Sequence, residues 1–159
     1  MSSRKLAALF VLAFVAPALV ADRALAAEDQ VYVEYRQKVM SGVGADMGAI
    51  SDILKHGLPF TAAIALHANR LEDAATLIPT AFEKPVSAGA TDAKPEIWQK
   101  PDEFKQAIAN FASAADALED AADDGDAAAI QAAFKELGSA CGSCHKPFRK
   151  PKEESYKNQ

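Results

Sequence analysis

The sequence is poor in cysteine, glycine and tryptophan. Its 159 residues include two cysteines, eight glycines and one tryptophan. The two cysteines, Cys141 and Cys144, are separated by two residues, and a disulfide across so short a loop would stabilise the fold little. A secreted scaffold held together by several disulfides is therefore excluded, and we expect the two thiols to carry chemistry instead.

The chain also lacks an excess of positive charge. It holds 17 Lys and Arg residues against 22 Asp and Glu residues, which gives a formal net charge of −5 at pH 7. A protein of this sign has no electrostatic attraction for nucleic acid or for anionic lipid. We therefore expect neither nucleic acid nor a membrane surface as a partner.

Long apolar runs are missing except near the N-terminus. Two basic residues precede an apolar stretch over residues 6–21, and Ala24–Ala26 supplies the small residues that signal peptidases recognise. The stretch is short for a membrane span and is interrupted by Pro17, although a retained anchor is the alternative. We predict a cleaved signal peptide over residues 1–26 and a mature domain over residues 27–159. Cleavage removes three basic residues and one acidic residue, so the net charge falls from −5 to −7.

Alanine is abundant, and apolar residues recur in the sequence at steps of three and four residues. This period is that of an amphipathic α-helix. The pattern predicts four helices, which begin near residues 29, 61, 101 and 127 and end near residues 54, 78, 122 and 149. Short connections between such helices favour an all-α, antiparallel four-helix bundle. Because many inner residues are small alanines, we expect either very close packing of the helices or a large flat group in the space between them.

The segment Cys141-Gly142-Ser143-Cys144-His145 matches the Cys-x-x-Cys-His pattern that attaches haem c. Two thiols form thioether bonds to the porphyrin, and the histidine binds the iron. A thioredoxin-like redox pair would need an α/β context, and a zinc site would need further ligands. We predict one covalent haem c, attached through Cys141 and Cys144, with His145 as an iron ligand.

The sixth position of the iron decides what the haem does. Apart from the attachment motif, the mature chain offers His56, His67, Met40 and Met47. We expect both histidines to be ordinary loop or helix residues, with bis-His ligation as the alternative. Spacing does not separate the two methionines, because both fall on one stripe of the first helix and methionine also fills gaps in cores.

The mature domain resembles the class II cytochromes c, which comprise cytochrome c′ and its low-spin relatives of the cytochrome c-556 type. The resemblance rests on three segments: Tyr35-Arg36-Gln37, Lys94-Pro95-Glu96-Ile97-Trp98 and Cys141–Arg149. The C-terminal position of the haem motif is itself distinctive, since small class I cytochromes carry it near the start.

The resemblance implies roles for several more residues. In this family the residue five after the tyrosine points at the distal haem face, and here that residue is Met40. Cytochromes c′ place a non-coordinating apolar residue there, whereas c-556-like members bind the iron through methionine sulfur. The resemblance therefore implies Met40 as the sixth ligand and Met47 as a packing residue. It also implies propionate contacts for Arg36 and Gln37, and a position beside the haem edge for Asp92.

Together these expectations describe a periplasmic monohaem cytochrome that carries one electron through low-spin His/Met iron and is not an enzyme. The alternative is a five-coordinate cytochrome c′ that binds nitric oxide or carbon monoxide. Other periplasmic redox proteins are the expected partners, and the chain is expected as a monomer or a homodimer. We interpret the basic C-terminal tail as a solvated helix end, or alternatively as a docking patch for an acidic redox partner. Its basic residues are Lys146, Arg149, Lys150, Lys152 and Lys157.

Overall fold

The computed structural model describes residues 18–158, with side chains described from Ala27 onward. The described part of the chain is helical, and its long helices form the predicted all-α four-helix bundle. The helices are α1 (Ala18–His56), α2 (Thr61–Ala81), α3 (Glu96–Gln99), α4 (Pro101–Asp123) and α5 (Ala127–Phe148), followed by two 3₁₀ turns, Lys152–Glu154 and Tyr156–Asn158.

The helices pack in sequence order, α1 on α2, α2 on α4 and α4 on α5. Short connections join α1 to α2 and α4 to α5, and each contains a glycine in the left-handed region, Gly57 (φ 60°) and Gly125 (φ 72°). Such short connections make neighbouring helices antiparallel. Asp126 caps α5, because its carboxylate accepts hydrogen bonds from the backbone N–H groups of Ala128 and Ala129.

The buried stripes of α2 and α4 are those that the spacing predicts. The buried residues of α2 include Ile64, Ala68, Leu71, Ala75 and Ile78. Those of α4 include Phe104, Ile108, Phe111, Ala115 and Leu118. These two helices lie in the middle of the packing order, so their stripes form the centre of the core.

The first helix begins earlier than predicted. α1 starts at Ala18 instead of near residue 29, because residues 18–27 are rich in alanine and leucine, which favour helix. The predicted signal peptide lies outside the described residues over 1–17, and its side chains lie outside them up to residue 26. Among the helices of the described region, none combines the length and the apolar character that a bilayer span demands.

α2 begins where the pattern predicts and ends later. Thr61 is the first helical residue, and the N-cap residue Phe60 makes no side-chain capping bond. Pro79 does not end the helix, which continues to Ala81. The N–H of Phe82 lies 3.1 Å from the carbonyl oxygen of Ile78 and so satisfies the last turn beyond the proline.

The C-terminal tail is not the solvated helix end that we expected. α5 ends at Phe148, and Arg149 is extended (φ −120°, ψ 141°), so the chain leaves the helix direction. The tail then runs against the loop before α3, where Ala93 pairs with Arg149 in an isolated antiparallel bridge. The N–H of Lys150 donates to the carbonyl of Asp92 at 2.8 Å. These backbone bonds replace the helical ones and hold the tail on the bundle.

Candidate functional site

A cavity of about 620 Å³ opens between the helices and has the size of a cofactor site. Its walls come from α1, α4, α5, the loop before α3 and the C-terminal tail. All seven residues that the sequence predicted for the site border it: Arg36, Gln37, Met40, Asp92, Cys141, Cys144 and His145. Residues from both ends of the chain therefore meet at one place.

The attachment motif lies on α5 with Cys141, Cys144 and His145 all facing the cavity. Burial raises the pKa of the Cys141 thiol. Burial, assisted by the neighbouring Cys141, raises the pKa of Cys144 to about 11. These thiols are neutral at pH 7, unlike the activated thiolate of a disulfide oxidoreductase.

His145 is accessible from the open cavity, yet the surrounding protein still changes its titration. Burial of part of the ring lowers the pKa of His145, and the positive charge of Arg149 lowers it further. The imidazole is therefore neutral at pH 7 and has a nitrogen lone pair to offer to a metal. This is the protonation state that an iron ligand requires.

Two helical glycines border the cavity, Gly44 on α1 and Gly138 on α5. As at the other described glycines, a Cβ added at either would meet no heavy atom within 4 Å. Glycine inside a helix costs ~0.5–1 kcal/mol relative to alanine, and at these two positions it keeps side-chain atoms out of the cavity. The cavity, the two thiols, the neutral imidazole and the open glycine positions fit a covalently attached haem.

Apart from Arg36, Gln37 and Ser41, the α1 wall of the cavity is apolar, and it contains both methionines. Met40 and Met47 are each half-buried and line the cavity together with Val43. Their placement does not separate a ligand from a packing residue. His56 is the last residue of α1 and His67 contacts Asp46 between α1 and α2, so neither histidine borders the cavity.

Arg36 borders the cavity but directs its hydrogen bonds elsewhere. The side chain is 3% exposed. Its Nε donates to the carbonyl of Ala81 at 3.0 Å and its Nη1 to the carbonyl of Val86 at 2.6 Å, while Nη2 donates to the carbonyl of Lys84. Arg36 thus ties α1 to the end of α2 and to the loop that follows. Its contact with a haem propionate stays a prediction.

The guanidinium of Arg36 is also held by two aromatic rings. Its Cζ lies 5.2 Å from the ring centroids of both Phe82 and Trp98. The indole N–H of Trp98 in turn donates to the carbonyl of Phe82 at 2.7 Å. Burial lowers the pKa of Arg36, and Asp29 partly offsets this effect. Sequence reasoning missed this cluster, although an arginine three residues after buried Val33 on the inner stripe was a usable signal.

Gln37 and Asp92 sit where the loop, α1 and the tail meet. The amide nitrogen of Gln37 donates to the carbonyl of Ala90 at 2.8 Å. The Asp92 carboxylate accepts from the Ser155 hydroxyl at 2.9 Å and from the N–H of Tyr156 at 3.0 Å. Asp92 borders the cavity and also anchors the tail. Its place beside the haem edge stays a prediction.

Sequence reasoning assigned no site role to the end of the chain, yet Tyr156 and Lys157 border the cavity. No spacing rule could have found them. They reach the site because the tail turns back, and that turn depends on bonds to a loop about sixty residues earlier in the sequence.

Comparisons with known proteins agree with this architecture. The family model described as Cytochrome C' matches residues 31–149. The chain is 40% identical over 124 residues to cytochrome c′ of Pararhodospirillum photometricum, covering 77% of this chain and 99% of that protein. It is 35% identical over 138 residues to cytochrome c-554 of Cereibacter sphaeroides, covering 84% and 88%.

A solved structure supports the same conclusion. It is the nitric oxide complex of a leucine-to-alanine mutant of cytochrome c prime from Alcaligenes xylosoxidans. The two chains superpose with a TM-score of 0.69 at 33% identity, covering 78% of this chain and 97% of that one. Matches of this extent and identity place the chain in the cytochrome c′ family, whose members carry one covalent haem c.

Proposed function

We propose that this member of the cytochrome c′ family binds a diatomic gas, nitric oxide or carbon monoxide, at its single haem. The haem supplies an iron that can take such a gas and can change its oxidation state by one electron. His145 on α5 holds the iron from one side, and the α1 side is left without a protein ligand. In this proposal the chain is a gas-binding protein and not an enzyme.

The observation that carries the proposal is the group of apolar side chains that α1 and α4 present to the same part of the cavity. Met40 and Val43 lie there on α1, and Ile108 and Phe111 face the same space from α4. An apolar wall penalises water and anions, which lose hydrogen bonds on entry, and it admits a small neutral diatomic molecule at little cost. His56 and His67, which are stronger iron ligands than a thioether, lie away from this space.

The comparisons support the same choice. The cytochrome c′ of Pararhodospirillum photometricum is 40% identical to this chain. The superposable cytochrome c prime from Alcaligenes xylosoxidans is a nitric oxide complex. The low-spin His/Met electron carrier, our main prediction from the sequence, receives less support from these relatives than its gas-binding alternative.

The electron carrier is the second candidate, and one observation favours it. Met40 borders the same cavity as His145, so its thioether sulfur is available on the α1 side. A relative of 35% identity is a cytochrome c-554. In this second candidate the Met40 sulfur closes the sixth position, and an acidic periplasmic redox protein docks at the basic C-terminal end.

The absorption spectrum of the purified haem protein separates the two candidates. It is recorded in the ferric and ferrous forms, before and after addition of carbon monoxide. For the gas-binding protein we expect a high-spin spectrum that shifts when carbon monoxide is added. Low-spin bands with a weak far-red iron–sulfur band, unchanged by the gas, would contradict the proposal and support the electron carrier.

A matched pair of variants sharpens this experiment. Met40→Ala and Met47→Ala remove the same side chain from two positions of one helix stripe, and both positions border the cavity. If the iron is five-coordinate, both variants keep the high-spin spectrum of the parent. A low-spin parent that becomes high-spin in Met40→Ala but not in Met47→Ala would identify Met40 as the ligand.

We further propose that the chain is exported to the periplasm and cleaved after Ala26. The support is the Ala24–Ala26 segment after an apolar stretch. Protein isolated from the periplasmic fraction should begin at Ala27, and its intact mass should equal residues 27–159 plus one haem. A mass that includes residues 1–26, or recovery with the membrane fraction, would contradict cleavage.

A further inference from the structure

The C-terminal tail is a part of the site that the family match leaves out. The family model ends at residue 149, whereas the described chain continues to residue 158. Ser155 in this extension is 5% exposed, and Tyr156 and Lys157 border the haem cavity. A terminal segment normally frays unless specific contacts hold it, so these contacts need an explanation.

Asp92 is the residue that fixes the tail. Its two carboxylate oxygens accept from the Ser155 hydroxyl and from the N–H of Tyr156, at 2.9 and 3.0 Å. On the N-terminal side of the tail, the Lys150 ammonium donates to the carbonyl of Thr91 at 3.1 Å. These bonds determine which two side chains of the tail reach the cavity.

Among the described residues at this end of the cavity, the charged side chains differ in whether they have a carboxylate partner. Asp92 is paired with the tail, and the Arg149 guanidinium lies 3.7 Å from its carboxylate. Within the described residues, no carboxylate lies within 4.0 Å of the Lys157 ammonium, which instead sits 5.9 Å from the Tyr156 ring centroid. Haem carries two anionic propionates, and an anion at a partly buried site favours a nearby cation.

We infer that the tail completes the haem site of this cytochrome. Lys157 provides positive charge to the propionate edge of the haem, and Tyr156 covers that edge from water. Asp92 is a positioning residue, because it acts by holding the two tail residues in place. The inference rests on the covalent haem of the family and not on the proposed gas ligand, so it stands whether the iron has five or six ligands.

The first test compares Lys157→Gln with Lys152→Gln in the haem-loaded protein. Both lysines are exposed and both variants remove one lysine charge from the tail, but Lys152 does not border the cavity. Loss of a positive charge beside the haem favours the ferric state, so we expect a lower reduction potential for Lys157→Gln alone. The difference should shrink at high ionic strength, because salt screens exposed charges. Equal potentials in the two variants would overturn the role of Lys157.

The second test compares Tyr156→Ala with Tyr156→Leu, neither of which changes charge. Water at the haem edge stabilises the ferric state, which carries the higher charge, so the alanine variant should have a lower potential. Leucine still covers the edge and should leave the potential near that of the parent. Two variants with the same potential as the parent would overturn the role of Tyr156.

The third test measures the tail directly, without a haem readout. Ser155→Ala removes a hydrogen bond to Asp92, so trypsin should release the segment after Lys152 faster than from the parent. Ser143→Ala, whose hydroxyl bonds only within α5 among the described residues, is the control and should be cleaved at the parent rate. Equal cleavage of all three proteins would show that Asp92 does not position the tail.

Discussion

The Nδ1 atom of His67 lies 2.7 Å from Oδ1 of Asp46, and this contact joins α2 to α1. Asp46 is 6% exposed, and Nη1 of Arg70 lies 3.4 Å from the same oxygen. A buried carboxylate is costly unless it is hydrogen-bonded and paired, so this contact stabilises the packing of the two helices. The contact with Asp46 also holds His67 outside the haem cavity.

Replacing His67 by alanine should destabilise the protein without changing the haem spectrum. The buried Asp46 carboxylate would lose its shortest hydrogen bond, which costs ~1–3 kcal/mol. Denaturant unfolding of the haem-loaded protein measures this loss. His56→Ala, at the exposed end of α1, is the control and should unfold like the parent. A changed spectrum in His67→Ala would mean that this histidine reaches the iron.

Arg36→Lys should destabilise the junction between α1 and the loop after α2. Lysine keeps the charge but cannot reproduce the fork of donors that reaches three carbonyls, nor the planar contact with two aromatic rings. Carbonyls left unpaired cost ~1–3 kcal/mol. Guanidinium chloride unfolding checks this value, with exposed Lys38→Ala on the same helix as the control. A loss of unfolding free energy no larger than that of the control would show that the contacts of Arg36 contribute little to stability.

Gly44→Leu should interfere with the haem, whereas Gly42→Leu should not. Both glycines lie inside α1, and a Cβ added at either would meet open space, but Gly44 borders the cavity and Gly42 does not. At Gly42, leucine replaces a poor helix former and should raise stability by ~0.5–1 kcal/mol. At Gly44 it enters the space of the porphyrin, so the fraction of haem-loaded protein should fall. The ratio of haem absorbance to protein absorbance measures this fraction. Equal ratios in the two variants would contradict the placement of Gly44 beside the haem.

The double variant Cys141→Ala/Cys144→Ala should produce a poorly folded protein without haem. A cavity of about 620 Å³ would then remain between the helices, and unfilled cavities destabilise in proportion to their volume. We expect a loss of near-ultraviolet circular dichroism and of cooperative thermal unfolding. A compact protein that melts cooperatively would show that the bundle does not depend on its haem.

The helices and the haem motif could be predicted because their signals are local. Ile64, Leu71 and Leu118 are 0% exposed, as the helical spacing requires. Cys141, Cys144 and His145 form a pattern whose chemistry leaves few alternatives. A period of three to four residues and a five-residue motif can both be identified without knowledge of the rest of the fold.

The parts that could not be predicted depend on contacts distant in sequence. The carbonyls that bind Arg36 come from residues 45 to 50 positions later, where the chain leaves α2. The sequence indicates a solvated helix end for the tail, because nothing near Ser155 indicates its partner Asp92. Met40 and Met47 remained equivalent because both positions of the same helical stripe reach the cavity.

Two walls of the cavity come from α1 and α5, which are far apart in the sequence, and this separation has a consequence for the order of maturation. Its α1 wall is made first during synthesis, while the thiols of α5 arrive last. Contacts between such distant segments form late in folding. Once the bundle has formed, Cys141 and Cys144 are half-buried and poorly nucleophilic, because burial raises their pKa values. We therefore expect the haem to be joined to an open chain, so that the cofactor acts as a template around which the helices assemble.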